Sequence, residues 1–458
     1  MYHDTIAAIG TAMTQSGIGI IRISGDEAVA VGDRIFRSKK KGKQLSQVKS
    51  HTIHYGHIVD GDQVVDEVLV SVMKGPHSYT AEDVVEINCH GGVLVMKRIL
   101  ELVLRNGARP AEAGEFTKRA FLNGRMDLSQ AEAVIDLINS KNDFAMKSAV
   151  RQLSGKLSEK IRQLREKILY ETAFIESALD DPEHYSTEGY SQKLSAVMDE
   201  LLLEIKMMIS SADNGRMLSE GIRTVILGKP NAGKSSLLNL LVGEDRAIVT
   251  EIAGTTRDTL EEQILLDGIG LHIVDTAGIR DTEDMVEKIG VGKAVQQAEE
   301  ADLILYVVDS SVELDENDRQ IIDMIQDKRA IVLLNKSDLE SVIDNDMLCR
   351  LTNKRVIIFS AKESYGLTEL KHAIQDMFDH SELNFNDEWC LTSVRHKQAL
   401  CNACESLEMV KQSIEDGMPE DFYSIDLMNA YEQLGMIIGE AVEDDLVDEI
   451  FSQFCMGK

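Results

Sequence analysis

The sequence predicts a multidomain chain: an α+β N-terminal domain over residues 1–120, an all-α helical domain split between 121–220 and 381–458, and an α/β P-loop domain inserted at 221–380. Three observations carry that division. Short apolar runs with glycine-marked turns fill the first part, apolar residues at three- and four-residue spacing dominate both flanks, and strand-length apolar runs occupy the centre.

In the first part Gly19–Ile23 and Val64–Met73 read as strands, with a helix or two between the turns. From Leu128 the pattern becomes helical. Val150, Leu153, Leu157, Ile161, Leu164 and Ile168 recur on one face with Lys, Arg, Glu and Ser between them, which predicts one long amphipathic helix. After Pro182 the pattern returns with Leu194, Val197, Leu201, Leu202 and Ile205 and ends near Asn214-Gly215. The periodicity then changes. Six apolar runs follow, at Val225–Leu227, Ile264–Leu266, His272–Val274, Ile304–Val308, Ile331–Leu334 and Val356–Phe359, most of them separated by helical stretches. That alternation is the mark of a largely parallel, doubly wound sheet. Helical pattern resumes over Ser393–Ile414 and from Phe422 onward. Neither helical flank has a complete set of packing partners by itself, so one helical domain interrupted by an insertion is the simpler reading.

Composition bounds the function. A chain of 458 residues has room for about three domains. No apolar run approaches the roughly 18 to 20 residues that span a bilayer, and no basic stretch followed by an apolar core opens the sequence. Six cysteines give no disulfide framework, so a soluble cytoplasmic protein is expected. A formal charge of -30 repels phosphate backbones over most of the surface. Any nucleic-acid substrate must therefore meet a local basic patch or a basic partner.

Gly228-Lys229-Pro230-Asn231-Ala232-Gly233-Lys234-Ser235 matches G-x-x-x-x-G-K-[ST] between the strand at Thr224–Leu227 and a helix starting near Ser235. The candidate phosphate contacts run from Asn231, Ala232 and Gly233 through Lys234, Ser235 and Ser236. Backbone N–H groups at a helix N-terminus face the phosphates, Lys234 bridges the outer ones, and the Ser235 hydroxyl is a magnesium ligand. Asp275-Thr276-Ala277-Gly278 closes the third run, where the carboxylate can hold magnesium through water and the Gly278 N–H can meet the γ-phosphate. Asn335-Lys336-Ser337-Asp338 follows the fifth, and Asp338 can accept from guanine N1 and N2, a donor pair that adenine lacks. Ser360-Ala361-Lys362 follows the sixth and offers backbone donors to the guanine carbonyl. Four such motifs in order, each at a strand end, define a GTP-binding and hydrolysing domain.

Ile279 follows Asp-Thr-Ala-Gly where many signalling GTPases carry a water-orienting glutamine. An apolar side chain cannot orient water, and no arginine is an obvious finger. The segment Thr250-Glu251-Ile252-Ala253-Gly254-Thr255-Thr256-Arg257-Asp258, with Asn231, resembles the potassium-using branch of the translation-factor class of GTPases. The resemblance implies a potassium ion held by Asn231, Thr250, Ile252 and Thr255, with Thr256 completing the magnesium shell. A cation there does the work of an arginine finger.

Three further stretches and one terminus narrow the resemblance. They are Gly17–Gly25, Ser78–Glu86 with His90-Gly91-Gly92, and Pro110–Asp127, together with Cys455-Met456-Gly457-Lys458. They resemble the MnmE/TrmE family of bacterial tRNA modification GTPases, within the TrmE-Era-EngA-YihA-Septin-like class. The resemblance implies a folate-binding, dimerising N-terminal domain, a helical domain with an inserted GTPase, and a homodimer. It also implies an FAD-dependent MnmG/GidA-like partner in a heterotetramer, with a 5-formyl- or 5,10-methylene-tetrahydrofolate donating carbon to C5 of the wobble uridine of certain tRNAs. Arg22, Glu86, Arg125 and Lys458 would hold the folate, and Glu287 would be the catalytic glutamate. Read without the family, Arg22 on an apolar strand is a paired structural arginine and Glu287 a solvated helix residue. Cys455 is either a functional thiol or an exposed cysteine without a role. Cys401 and Cys404 form a C-x-x-C with no second pair nearby, which favours packing over zinc. The rival function is a ribosome-assembly or regulatory GTPase switch without modification chemistry. Against it stand the acidic helical tail and the folate-like module.

Overall fold

The computed structural model describes the chain except residues 1–3, 41, 141, 182, 186–188, 245–261, 267–268, 275–297, 380–390, 441–446, 448–449, 453, 455, 456 and 458. Thr250–Thr256, Asp275–Gly278, Ile279, Glu287, Cys455 and Lys458 therefore lie outside the described residues. The chain divides into two compact units. One comprises Met1–Asn139, Ala149–Ile205 and Gln398–Lys458, the other Ser140–Ser148 and Lys206–Lys397.

The first unit opens with β1 (Ile6–Ile9), β2 (Gly19–Ser24), α1 (Ala28–Ile35), β3 (Phe36–Ser38), β4 (Thr52–Asp60), β5 (Gln63–Met73) and β6 (Val84–Cys89). It continues with α2 (Val93–Arg105), β7 (Arg109–Pro110) and α3 (Glu115–Leu122). Seven strands pair in the order β3-β4-β5-β6-β2-β1-β7, antiparallel except for β1 with β7. Strand alternation then sorts the side chains. Ile21 and Ile23 of β2 join Val85 and Ile87 of β6 in a core with Val31 and Ile35 of α1 and Met96 and Ile99 of α2. The intervening Arg22 and Glu86, directly opposite each other in the β2–β6 register, belong to the other face.

That face abuts α3, where the fully buried Arg119 is held by Glu115 (2.9 Å), Asp4 (2.6 Å) and Glu82 (3.2 Å). A buried guanidinium demands such partners. Helices α4 (Leu128–Asn139), α5 (Asp143–Leu153), α6 (Lys156–Asp180) and α7 (Tyr190–Glu220) follow. The single long helix expected around residues 150–168 is in fact two. Gly155, at φ 81°, caps the start of α6 in a left-handed conformation that favours glycine, while Leu153 and Leu157 keep their four-residue spacing across the break.

The second unit contains β8 (Ile222–Leu227), α8 (Lys234–Glu244), β9 (Glu262–Leu266), β10 (Ile269–Ile273), β11 (Leu303–Asp309) and α9 (Glu316–Ile325). It continues with β12 (Ala330–Asn335), α10 (Asn345–Thr352), β13 (Arg355–Ile358) and α11 (Leu367–Asp379). The sheet order is β13-β12-β11-β8-β10-β9, parallel except for the β9–β10 hairpin. All of β11 and β12 is buried, because helices cover both faces. Leu237, Leu241, Leu370 and Ile374 of α8 and α11 fill one side, and Ile322, Ile325 and Leu348 of α9 and α10 the other. The remaining helices, α12 (Val394–Glu415) and α13 (Glu420–Ile438), bring the chain back to the first unit, where α13 packs along α6 and Arg165 pairs with Glu440. No described helix is long and apolar enough to cross a membrane.

Candidate functional site

In a doubly wound sheet, ligands bind beyond the C-terminal ends of the parallel strands. The described residues of the phosphate loop and of the Asn335 and Ser360 motifs lie at that end of the sheet. The phosphate loop leaves β8 at Gly228, whose φ of 150° suits glycine and where a Cβ would overlap the Val307 carbonyl of β11. Asn231 sits at φ 62° and is exposed, Ala232 is buried, and Ser235 and Ser236 open α8. Lys234 Nζ donates to the carbonyls of Gly228 (2.6 Å) and Lys229 (2.8 Å). Burial pushes its ammonium below the usual lysine range.

Asn335 ends β12 with its side chain buried, and that side chain joins three loops. Its Nδ2 donates to Ala232 O (2.8 Å), while its Oδ1 accepts from Ala361 N (3.0 Å). Asp338 Oδ1 accepts from the Ser360 hydroxyl at 2.8 Å, which is the leading cause of a carboxyl held below its ordinary range. Lys362 Nζ stands 4.0 Å from Asp338 and is exposed. Lys336, at φ 63°, donates from Nζ to Asp309 Oδ2 at 2.6 Å. Burial pushes the Asp309 carboxyl up, but its bonds to Lys336 and Ser311 outweigh that and hold it low. The motif pattern assigns no role to Asp309; its place at the C-terminal end of β11 was the available signal.

A second constellation lies in the first unit. Arg22 Nε donates to Glu86 Oε1 at 2.8 Å, and Arg22 Nη1 to the Gly457 carbonyl at 3.0 Å. The Arg22 guanidinium lies 5.2 Å from the Tyr79 ring centre and that of Arg125 lies 4.9 Å from it. Arg22 and Arg125 thus flank one aromatic ring, Glu86 pairs with Arg22, and the fourth predicted folate residue, Lys458, lies outside the described residues. Tyr79 and Gly457 were not singled out from the sequence. A basic, aromatic wall with one carboxylate suits a flat heterocycle bearing an anionic tail. Cys401 and Cys404 are free thiols on α12, the latter buried, and the described residues contain no group of three or more metal-ligating acidic, His or Cys side chains.

A parallel sheet ending in a phosphate loop, Asn335-Lys336-Ser337-Asp338 and Ser360-Ala361-Lys362 defines a P-loop GTPase. Family comparisons extend this to the whole chain. Residues 5–125 match the "GTP-binding protein TrmE N-terminus" and residues 128–455 the "MnmE helical domain". The tRNA modification GTPase MnmE of Lachnoclostridium phytofermentans is 57% identical over 458 residues, covering 100% of both chains. Its counterpart from Clostridioides difficile is 50% identical over 456 residues, covering 99% of each. The chain belongs to the MnmE family of tRNA modification GTPases. The relatives support modification over the rival switch reading.

Gly233 offers a test of the loop geometry. At φ 103° it is strained for any other residue, and a Cβ there would overlap Asn335 Nδ2. Because Asn335 is held by two hydrogen bonds, it cannot yield without breaking both. Gly233→Ala should weaken GDP binding by about a hundredfold, some 2.7 kcal/mol, in a fluorescence titration; wild-type affinity would refute the geometry.

Proposed function

We propose that the chain couples GTP hydrolysis to substitution at C5 of the wobble uridine of certain tRNAs, adding an aminomethyl or carboxymethylaminomethyl group. The carrying observation is the arrangement of Arg22, Glu86, Arg125 and Tyr79 in a chain that also holds a GTPase site. Glu86 pairs with one edge of a pterin, Arg22, Arg125 and Lys458 meet the anionic tail, and Tyr79 offers its ring as a stacking face. A reduced folate bound there supplies the one-carbon unit. Its carrier form is 5-formyl- or 5,10-methylene-tetrahydrofolate.

In the GTPase unit Asp338 accepts from guanine N1 and N2, Lys336 flanks the base, and Lys234 exchanges its loop carbonyls for the outer phosphates. Ser235 and Thr256 would hold magnesium, with Asp275 in support. Asn231, Thr250, Ile252 and Thr255 would hold potassium, and Glu287 would orient water in place of the missing glutamine. When bound, the two ions would supply positive charge to the phosphates. Asn231 fits that role in being exposed, with a left-handed backbone at the loop crest. Glu251, Ala253, Gly254, Thr276, Ala277 and Gly278 would contact the nucleotide in the same reading. Cys455 is a functional thiol in the same reading.

The acidic surface assigns tRNA affinity chiefly to a partner. We place that partner among FAD-dependent MnmG/GidA-like proteins, bound to a homodimer of this chain as a heterotetramer in the cytoplasm.

Two measurements test the proposal. GTP turnover should be at least about tenfold faster in potassium than in sodium chloride; equal rates remove the potassium assignment. Nucleoside analysis of tRNA from cells lacking this chain should show unsubstituted wobble uridine, restored by the wild type and not by Arg22→Ala. Unchanged wobble uridines in the deletion strain end the tRNA reading.

A further inference from the structure

Lys229, the second residue of the phosphate loop, is engaged by two carboxylates. Its Nζ donates to Asp315 Oδ2 at 3.0 Å and lies 2.6 Å from Asp318 Oδ2. Asp318 is buried and shared: its Oδ2 also accepts from Asp315 N (2.9 Å), and its Oδ1 accepts from the Tyr306 hydroxyl of β11 (2.8 Å). Asp315 in turn caps α9, accepting from the N–H groups of Asn317 (3.0 Å) and Asp318 (3.2 Å). A reciprocal capping box is therefore clasped by a lysine from another loop. The Lys229 carbonyl faces a different task, since it accepts from Lys234 Nζ (2.8 Å) and Ala232 N (3.2 Å).

The loop that carries Asp315 begins at Asp309, which pairs with Lys336. Residues 309–315 are thus braced at one end by the phosphate loop and at the other by the base-recognition loop. We propose that Lys229 is a positioning residue: through Asp315 and Asp318 it fixes the phosphate loop, and with it Lys234, relative to the base loop, without itself touching the nucleotide. Two carboxylates neutralise its charge, so it adds little positive potential for phosphates. What it contributes is pre-organisation of the loop in its nucleotide-binding shape, which shows first in affinity.

The experiment uses the full chain. Lys229→Met should raise the KM for GTP and the Kd for GDP by about tenfold, with kcat within about twofold. Lys229→Arg, which can still reach both carboxylates, should restore wild-type values. The neutral triple variant Lys229→Met/Asp315→Asn/Asp318→Asn separates geometry from charge: affinity that stays weak supports positioning, and affinity that recovers overturns it. Unchanged affinity in Lys229→Met, or an equal loss in Lys229→Arg, also overturns it. Thermal unfolding without nucleotide identifies any variant that fails to fold. Should Lys229→Met do so, Asp315→Asn trims only the half-exposed arm of the clamp; a raised KM there supports the proposal and an unchanged one overturns it.

Discussion

One buried carboxamide organises the nucleotide site. Asn335 spans from the phosphate loop to the loop after β13, and it does so because an amide carries a donor and an acceptor on a short stem. Aspartate would lose the bond to Ala232, and glutamine would be one methylene too long for the same two bonds. Loops are the mobile part of such folds. Here three of them share one buried side chain, so the distance between the phosphate end and the base end of the site is set by the strands beneath. Gly233 is required by the same contact, because only hydrogen fits beside Asn335.

The first unit reaches a comparable result by strand alternation. A period of two places Ile21, Ile23, Val85 and Ile87 in the core and leaves Arg22 and Glu86 facing the other way. Phe451 and Phe454 then pack with Leu128 and Val134, close to Gly114, where a Cβ would overlap the Phe451 carbonyl. That packing carries Gly457 to Arg22, which stands 435 positions earlier in the chain. The basic wall around Tyr79 is therefore a tertiary product of the sheet and the helices together.

Much of this was legible in the sequence. All six apolar runs of the central segment fall on or at the ends of strands, most plainly β11 and β12, which are buried on both faces and so must be apolar throughout. The phosphate loop and the Asn335 and Ser360 motifs were readable because their spacing is fixed by local geometry. Other features were not. The break at Gly155 hides inside an unbroken four-residue spacing, since Leu153 and Leu157 serve the same core side. Arg119 looks like a surface residue of an amphipathic helix, yet it is fully buried by carboxylates from residues 4, 82 and 115, which no local pattern connects. Tyr79 and Lys229 likewise acquire their partners only through folding. Thr250–Thr256, Asp275–Gly278 and Glu287 rest on motif resemblance.

Asn335 holds the two ends of the nucleotide site in register. Calorimetric titration of the Asn335→Ala variant with GDP and ADP reads out that coupling. GDP affinity should fall by at least about tenfold, and the preference for GDP over ADP should narrow with it, because the base loop is released together with the phosphate loop. Wild-type GDP affinity with undiminished base preference would contradict it.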